Sequence, residues 1–187
     1  MTVEEYLALE RSSEERDEYI DGRVHFMAGG TANHAEPSLA VASIPRTRLR
    51  GGKCRAFPSD LRVRVSPTCY VYPGVAVSCD ERDRGQVDEI QAPRVIVEVL
   101  SPGTEGYDRG DKSAHYRDCP TIEEYVLVNA RRTEVEVYRR SGAFWELRSC
   151  GASDEIELRS LGIRFPVADV YDGIDLPPHG TESPTTS

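Results

Sequence analysis

At 187 residues with 39% hydrophobic and 29% charged side chains, the chain has the size and composition of one globular domain with a sizeable core. No apolar stretch approaches the ~20 residues that span a bilayer, and the acidic start Met1-Thr2-Val3-Glu4-Glu5 is unlike a signal peptide, so the chain reads as soluble and cytoplasmic, with no membrane partner. A formal charge of -9 argues against a surface built mainly to hold phosphates.

Thr2-x-x-Glu5 has the form of a capping box and predicts a short first helix through Tyr6-Leu7-Ala8-Leu9. Glu18-Tyr19-Ile20 and Arg23 to Met27 flank Asp21-Gly22, which suits a tight hairpin. Residues 33–50 form a second helix that Pro45 should kink or end, because proline removes a donor and clashes with the preceding turn. Around and beyond its end lie Arg46, Arg48, Arg50, Lys53, Arg55, Arg62 and Arg64, with Asp60 the only acid among them. This is either a phosphate-binding patch or a solvated helix end and strand face.

Three strands follow at residues 61–65, 70–77 and 94–100, the first two joined by the turn Ser66-Pro67-Thr68. Asp108 is expected to cap a helix that Cys119-Pro120 ends. Residues 124–128 are a strand, 133–138 and 144–148 a hairpin around Ser141-Gly142, and 156–158 a last short strand. Pro, Gly, Ser and Thr from Pro177 onward predict a disordered tail over 177–187, leaving 1–176 as a single domain. The fold class is therefore α/β in the α+β sense, a mixed sheet with antiparallel hairpins. The five cysteines, Cys54, Cys69, Cys79, Cys119 and Cys150, are odd in number and scattered, which reads as free thiols. The four histidines show no zinc-site spacing.

Within Val95-Ile96-Val97-Glu98-Val99-Leu100 a single carboxylate sits in a strand expected to be buried. An uncompensated charge there costs several kcal/mol, so Glu98 needs a metal ion, the Lys112 ammonium, or both. A metal-dependent nuclease uses such carboxylates to hold Mg²⁺ and a lysine to polarise the attacking water. A purely structural ion pair is the competing reading.

The segments Glu18-Tyr19-Ile20-Asp21-Gly22, Met27-Ala28-Gly29-Gly30-Thr31 with Asn33-His34, Phe57-Pro58-Ser59-Asp60, Tyr72-Pro73, Val97-Glu98-Val99-Leu100-Ser101-Pro102, Asp108-Arg109-Gly110-x-Lys112 and Glu124-Tyr125-Val126-Leu127-Val128 occur in order over residues 15–175. Together they resemble the Uma2 family of bacterial restriction endonucleases, in the PD-(D/E)XK nuclease superfamily. That resemblance implies a helix-flanked, restriction-endonuclease-like core, DNA as substrate, Mg²⁺ or Mn²⁺ as cofactor, and a homodimer. It assigns Glu98 as metal ligand and Lys112 as the catalytic lysine. The family's Pro-Asp motif falls on Pro73 and Gly74, so one charged ligand is missing, and the prolines after His34 are a second departure. Both point to a degenerate member.

If Val65 pairs with Tyr70, Asp60 lies opposite Val75, and a slip of one residue would set it opposite Gly74 as a replacement ligand. The alternative for Asp60 is a turn residue. Glu18 is a possible accessory carboxylate and His34 a possible phosphate contact, each with an ordinary surface role as its rival. Arg46, Arg48, Arg50, Lys53, Arg62 and Arg64 are the phosphate-binding candidates. Two functions compete: a metal-dependent DNA endonuclease, and an inactive nucleic-acid-binding or oligomerising module on the same scaffold.

Overall fold

A computed structural model describes residues 1–27, 32–85 and 87–176. Helix α1 (Val3–Ser12) starts at the capping box, with Thr2 Oγ1 accepting from the Glu5 N–H at 3.2 Å and the Glu5 carboxylate accepting from the Thr2 N–H at 2.8 Å. Its buried Tyr6 donates to the Asp17 carbonyl at 2.8 Å and fastens the helix to β1 (Asp17–Ile20). The hairpin to β2 (Arg23–Phe26) turns on Asp21 and Gly22, both at positive φ, as the dipeptide requires.

Helix α2 (Ala32–Arg48) does not end at Pro45 but runs through that proline to Arg48. Val41 is buried on the main sheet and Ala42, Ile44 and Leu49 pack beside it. That burial outweighs the hydrogen bond each proline forfeits. The chain continues through β3 (Arg55–Pro58) and β4 (Arg62–Ser66), which alternates half-buried and buried residues as expected.

Residues 70–77 are not one strand. β5 (Cys69–Val71) ends before Tyr72-Pro73-Gly74, and β6 (Val75–Ser78) begins after it in a different sheet. Pro73 cannot donate to a ladder, and the break lets the chain cross from one sheet to the other. β7 (Glu89–Ile90), β8 (Pro93–Leu100), β9 (Glu124–Asn129), β10 (Glu134–Ser141), β11 (Phe144–Gly151), β12 (Glu155–Leu158) and β13 (Ile163–Pro166) complete the strands. Their sheets have the orders β2-β1-β5-β4-β7, β11-β10-β9-β8-β6-β3 and β12-β13. The pairs β8–β9 and β4–β7 are parallel and the rest antiparallel, so the expected mixed architecture holds.

The central strands β6, β8 and β9 of the six-stranded sheet are buried on both faces. Val95, Val97 and Val99 face α2 and the C-terminal strands, while Ile96 and Leu100 face the five-stranded sheet. Between β8 and β9 runs one helical segment made of α3 (Glu105–Tyr107), a π-helical turn at Asp108–Lys112 and α4 (Ser113–Asp118). Asp108 is thus inside the helix and buried, which corrects its expected role as a cap.

The cysteine reading is also corrected in part. Arg55 and Ser78 are opposite each other in the β3–β6 ladder, so Cys54 and Cys79 meet one step beyond it and form a disulfide. Cys69, Cys119 and Cys150 are free and buried. Among the described residues no helix is long and apolar enough to cross a membrane. The tail 177–187 lies outside the described residues.

Candidate active site

Because side chains alternate along a strand, Glu98 points with Ile96 and Leu100 into the layer between the two large sheets, where it is 6% exposed. Lys112 reaches it from the π-helical turn. Its Nζ lies 2.8 Å from a Glu98 oxygen, 2.8 Å from a Glu18 oxygen and 3.6 Å from Asp108. The bound oxygens of Glu18 and Glu98 are therefore no more than twice that shorter distance apart. Glu18 comes from β1 and is buried as well.

Each carboxylate is held by further donors. The Tyr116 hydroxyl donates to Glu98 Oε1 at 2.8 Å, the Gly74 N–H to Glu98 Oε2 at 3.2 Å, and the Tyr72 N–H to Glu18 at 2.9 Å. The break at Tyr72-Pro73-Gly74 thus supplies two backbone donors at the point where the chain changes sheets. Lys112 Nζ also lies 5.6 Å from the Tyr107 ring centroid, and the buried Tyr107 hydroxyl has no hydrogen-bond partner among the described residues.

Three carboxylates face one ammonium in a buried site. Burial pushes the Glu98 carboxyl up to about 7, against the pull of Lys112 and with the help of Asp108 and Glu18. Burial likewise raises Asp108, opposed by Lys112. For Lys112 burial alone favours the neutral amine, but Glu98, Glu18 and Asp108 together outweigh it and hold the ammonium above its ordinary range. The site keeps its lysine charged and one of its carboxyls close to neutrality.

The donor set suits a hard divalent cation in chemistry and charge, and the orphaned Tyr107 hydroxyl could bond a water or phosphate oxygen beside it. Among the described residues, however, no three Asp, Glu, His or Cys side chains converge as a ready metal cage. Gly74 contributes only its N–H. Mg²⁺ ordinarily keeps several waters and takes one or two carboxylates, so Glu98 and Glu18 fit it as a pair, without a third side chain.

The other expected residues lie elsewhere. Asp60 sits in the turn before β4, its side chain 73% exposed and paired with Arg16 at 3.1 Å. The observed register sets Arg64 opposite Tyr70, one step from the expected pairing, and the ladder stops at Val71 before Asp60 can face Gly74. His34 is half-buried near the start of α2, and no hydrogen bond or ion pair among the described residues joins its side chain to Lys112. Arg46, Arg48, Arg50 and Lys53 are exposed. Arg62 instead pairs with Glu89 at 3.2 Å and approaches Glu10 at 3.9 Å, while Arg64 lies over the Tyr70 ring. Asp108 and Tyr116 were missed as site residues, although they stand four positions before and after Lys112, the spacing that brings helix side chains together.

The Uma2 family model, described as "Putative restriction endonuclease", matches residues 3–168. The chain is 38% identical over 176 residues to "Uncharacterized protein slr1290" of Synechocystis sp., covering 93% of each chain. It is 31% identical over 169 residues to "Uncharacterized protein sll1609" of the same organism, covering 87% of this chain and 95% of that one. A crystal structure titled as a putative nuclease belonging to DUF820 from Anabaena variabilis superposes with a TM-score of 0.74 at 19% identity, covering 91% and 97% of the two chains. That superposition shares the fold, and the family match spans both the strand bearing Glu98 and the helix bearing Lys112, so the chain belongs to the Uma2 family of restriction-endonuclease-like proteins.

Proposed function

We propose that the chain is a Mg²⁺- or Mn²⁺-dependent DNA endonuclease working as two copies, with Glu98 and Glu18 as metal ligands and Lys112 as the catalytic lysine. The observation that carries this reading is Lys112 Nζ at 2.8 Å from both carboxylates. A bound divalent cation would supply Lewis-acid polarisation of the scissile phosphate and lower the pKa of a water. Lys112, anchored by both carboxylates, orients that water and offsets charge developing on phosphorus. Tyr116 and the Gly74 N–H fix the Glu98 carboxylate so that one arrangement is presented. The exposed cations near the end of α2 hold flanking phosphates.

Gly74 favours a second reading, a silent DNA-binding module. Plasmid and single-stranded DNA incubated with Mg²⁺ or Mn²⁺ separate the two. The wild type is expected to nick plasmid slowly, and Glu98→Ala to lower the rate at least about 100-fold. Gly74→Asp is expected to raise cleavage at limiting Mg²⁺. A Cβ there meets the Val97 carbonyl at 3.1 Å, so the variant should also lose about 1–3 kcal/mol of stability. Wild-type silence with rescue by Gly74→Asp establishes the silent module, and silence of all three proteins overturns the nuclease reading.

A further inference from the structure

β11 is the outer strand of the six-stranded sheet. It pairs with β10 over eight consecutive residues without a register shift, and among the described residues no strand lies on its other side. Five of its eight residues are exposed, among them Phe144 at 77% and Leu147 at 55%. Open edges of this length invite pairing, and proteins blunt them with proline, charged side chains, bulges or shortness. β11 is neither short nor bulged and has no proline, and its two charged residues, Glu146 and Arg148, are of opposite sign. The other outer strands of the two large sheets are short: β2 and β3 have four residues and β7 has two, and β3 also contains Pro58.

The β10–β11 hairpin closes over the two residues Gly142 and Ala143, with Ser141 opposite Phe144. A two-residue turn makes that closing pair the doubly hydrogen-bonded one, and the pattern then alternates along the ladder. The main-chain groups of Phe144, Glu146, Arg148 and Cys150 therefore turn toward β10, and those of Trp145, Leu147 and Ser149 turn outward.

We propose that this edge joins two copies of the chain, antiparallel about a two-fold axis through Leu147. In that register Leu147 faces Leu147 of the second copy, Trp145 faces Ser149, and Glu146 faces Arg148 twice. Centring on Trp145 or Ser149 shortens the overlap and loses both charge pairs. Among the described residues neither Glu146 nor Arg148 has an ion-pair partner in its own chain. Arg139, opposite Glu146 in the hairpin, is engaged with Glu124 at 3.0 Å. The strand is self-complementary in hydrogen bonding and in charge, as a two-fold interface requires.

The axis stands perpendicular to the sheet, so both buried Lys112 clusters lie on the same side of a continuous twelve-stranded sheet. Seven strand spacings of ~4.8 Å separate the two β8 strands, about 34 Å before twist shortens it. The inference rests on the two-copy assembly proposed above and names its surface.

Sedimentation velocity of the full chain across micromolar concentrations tests it, with circular dichroism confirming that each variant folds. The wild type is expected at twice the 20.8 kDa chain mass. Glu146→Arg alone and Arg148→Glu alone each set like charges opposite one another and should weaken the dimer at least about tenfold. Mixing these two variants restores both charge pairs and should restore the dimer. A wild type that stays monomeric overturns the assembly and the surface together. A dimer that neither single variant weakens overturns the surface but leaves the assembly, and monomeric variants that fail to associate when mixed overturn the register.

Discussion

Glu98 behaves unlike most carboxylates in a folded protein. Its pKa is raised from 4.5 to about 7, chiefly by burial, so the folded chain holds a proton that the unfolded chain has released between those values. The stabilisation linked to that proton is fully present below the unfolded pKa and is lost as pH rises through about 7. Glu98→Gln keeps the shape without the buried charge. Under chelating conditions it is expected to be more stable than wild type by up to roughly 3 kcal/mol near pH ~8, with the gain disappearing near pH ~5. Urea melts at both pH values check this, and an equal gain at both would mean that ionisation is not its cause. At this scale the sequence exposed Glu98 and Lys112 because a carboxylate within an apolar strand demands compensation. Glu18 was legible only as a possible accessory carboxylate, since its approach to Lys112 depends on how two sheets stack.

The elements that turned out differently from expectation are those whose outcome depends on packing. Asp21-Gly22 and Gly142 predict hairpins from local backbone requirements alone, and both form. Pro45 predicts a kink or an end, and the helix does not end there because Val41 and its neighbours hold α2 against the main sheet. Tyr72-Pro73-Gly74 looked compatible with a continuous strand because the residues on both sides are apolar. The π-helical turn at Asp108–Lys112 buries both of its named ends in the site. The disulfide likewise follows from the β3–β6 register rather than from cysteine spacing. It closes a loop with a sequence separation of 25, so Cys54→Ala is expected to lose about 3 kcal/mol in the oxidised protein. Reduction of the wild type should produce a similar fall in the urea midpoint, while reduction of Cys54→Ala should change little.

For the whole molecule the net charge of -9 hides a local surplus of cations. Arg46, Arg48, Arg50, Lys53 and Arg55 are exposed, whereas Arg62 is occupied by acids of its own chain. If all five exposed cations meet phosphates, the log–log slope of DNA affinity against salt should be about −4.5. Arg46→Ala combined with Arg48→Ala should make it shallower by about 2, and Arg62→Ala should leave it unchanged, as read by fluorescence anisotropy in a salt series. The sequence by itself determined the mixed α and β architecture and the tight hairpins, because periodicity and turn chemistry act locally; its ordered motifs carried the resemblance to the family, and the cost of a buried charge made Lys112 one candidate partner for Glu98. Only the tertiary structure decided that Glu18 and Asp108 join that pair, that Asp60 stays outside it, that Cys54 bonds Cys79, and that β11 is left open. Each of those depends on which strands become neighbours and in what register, which is settled by the burial of two sheet faces at once.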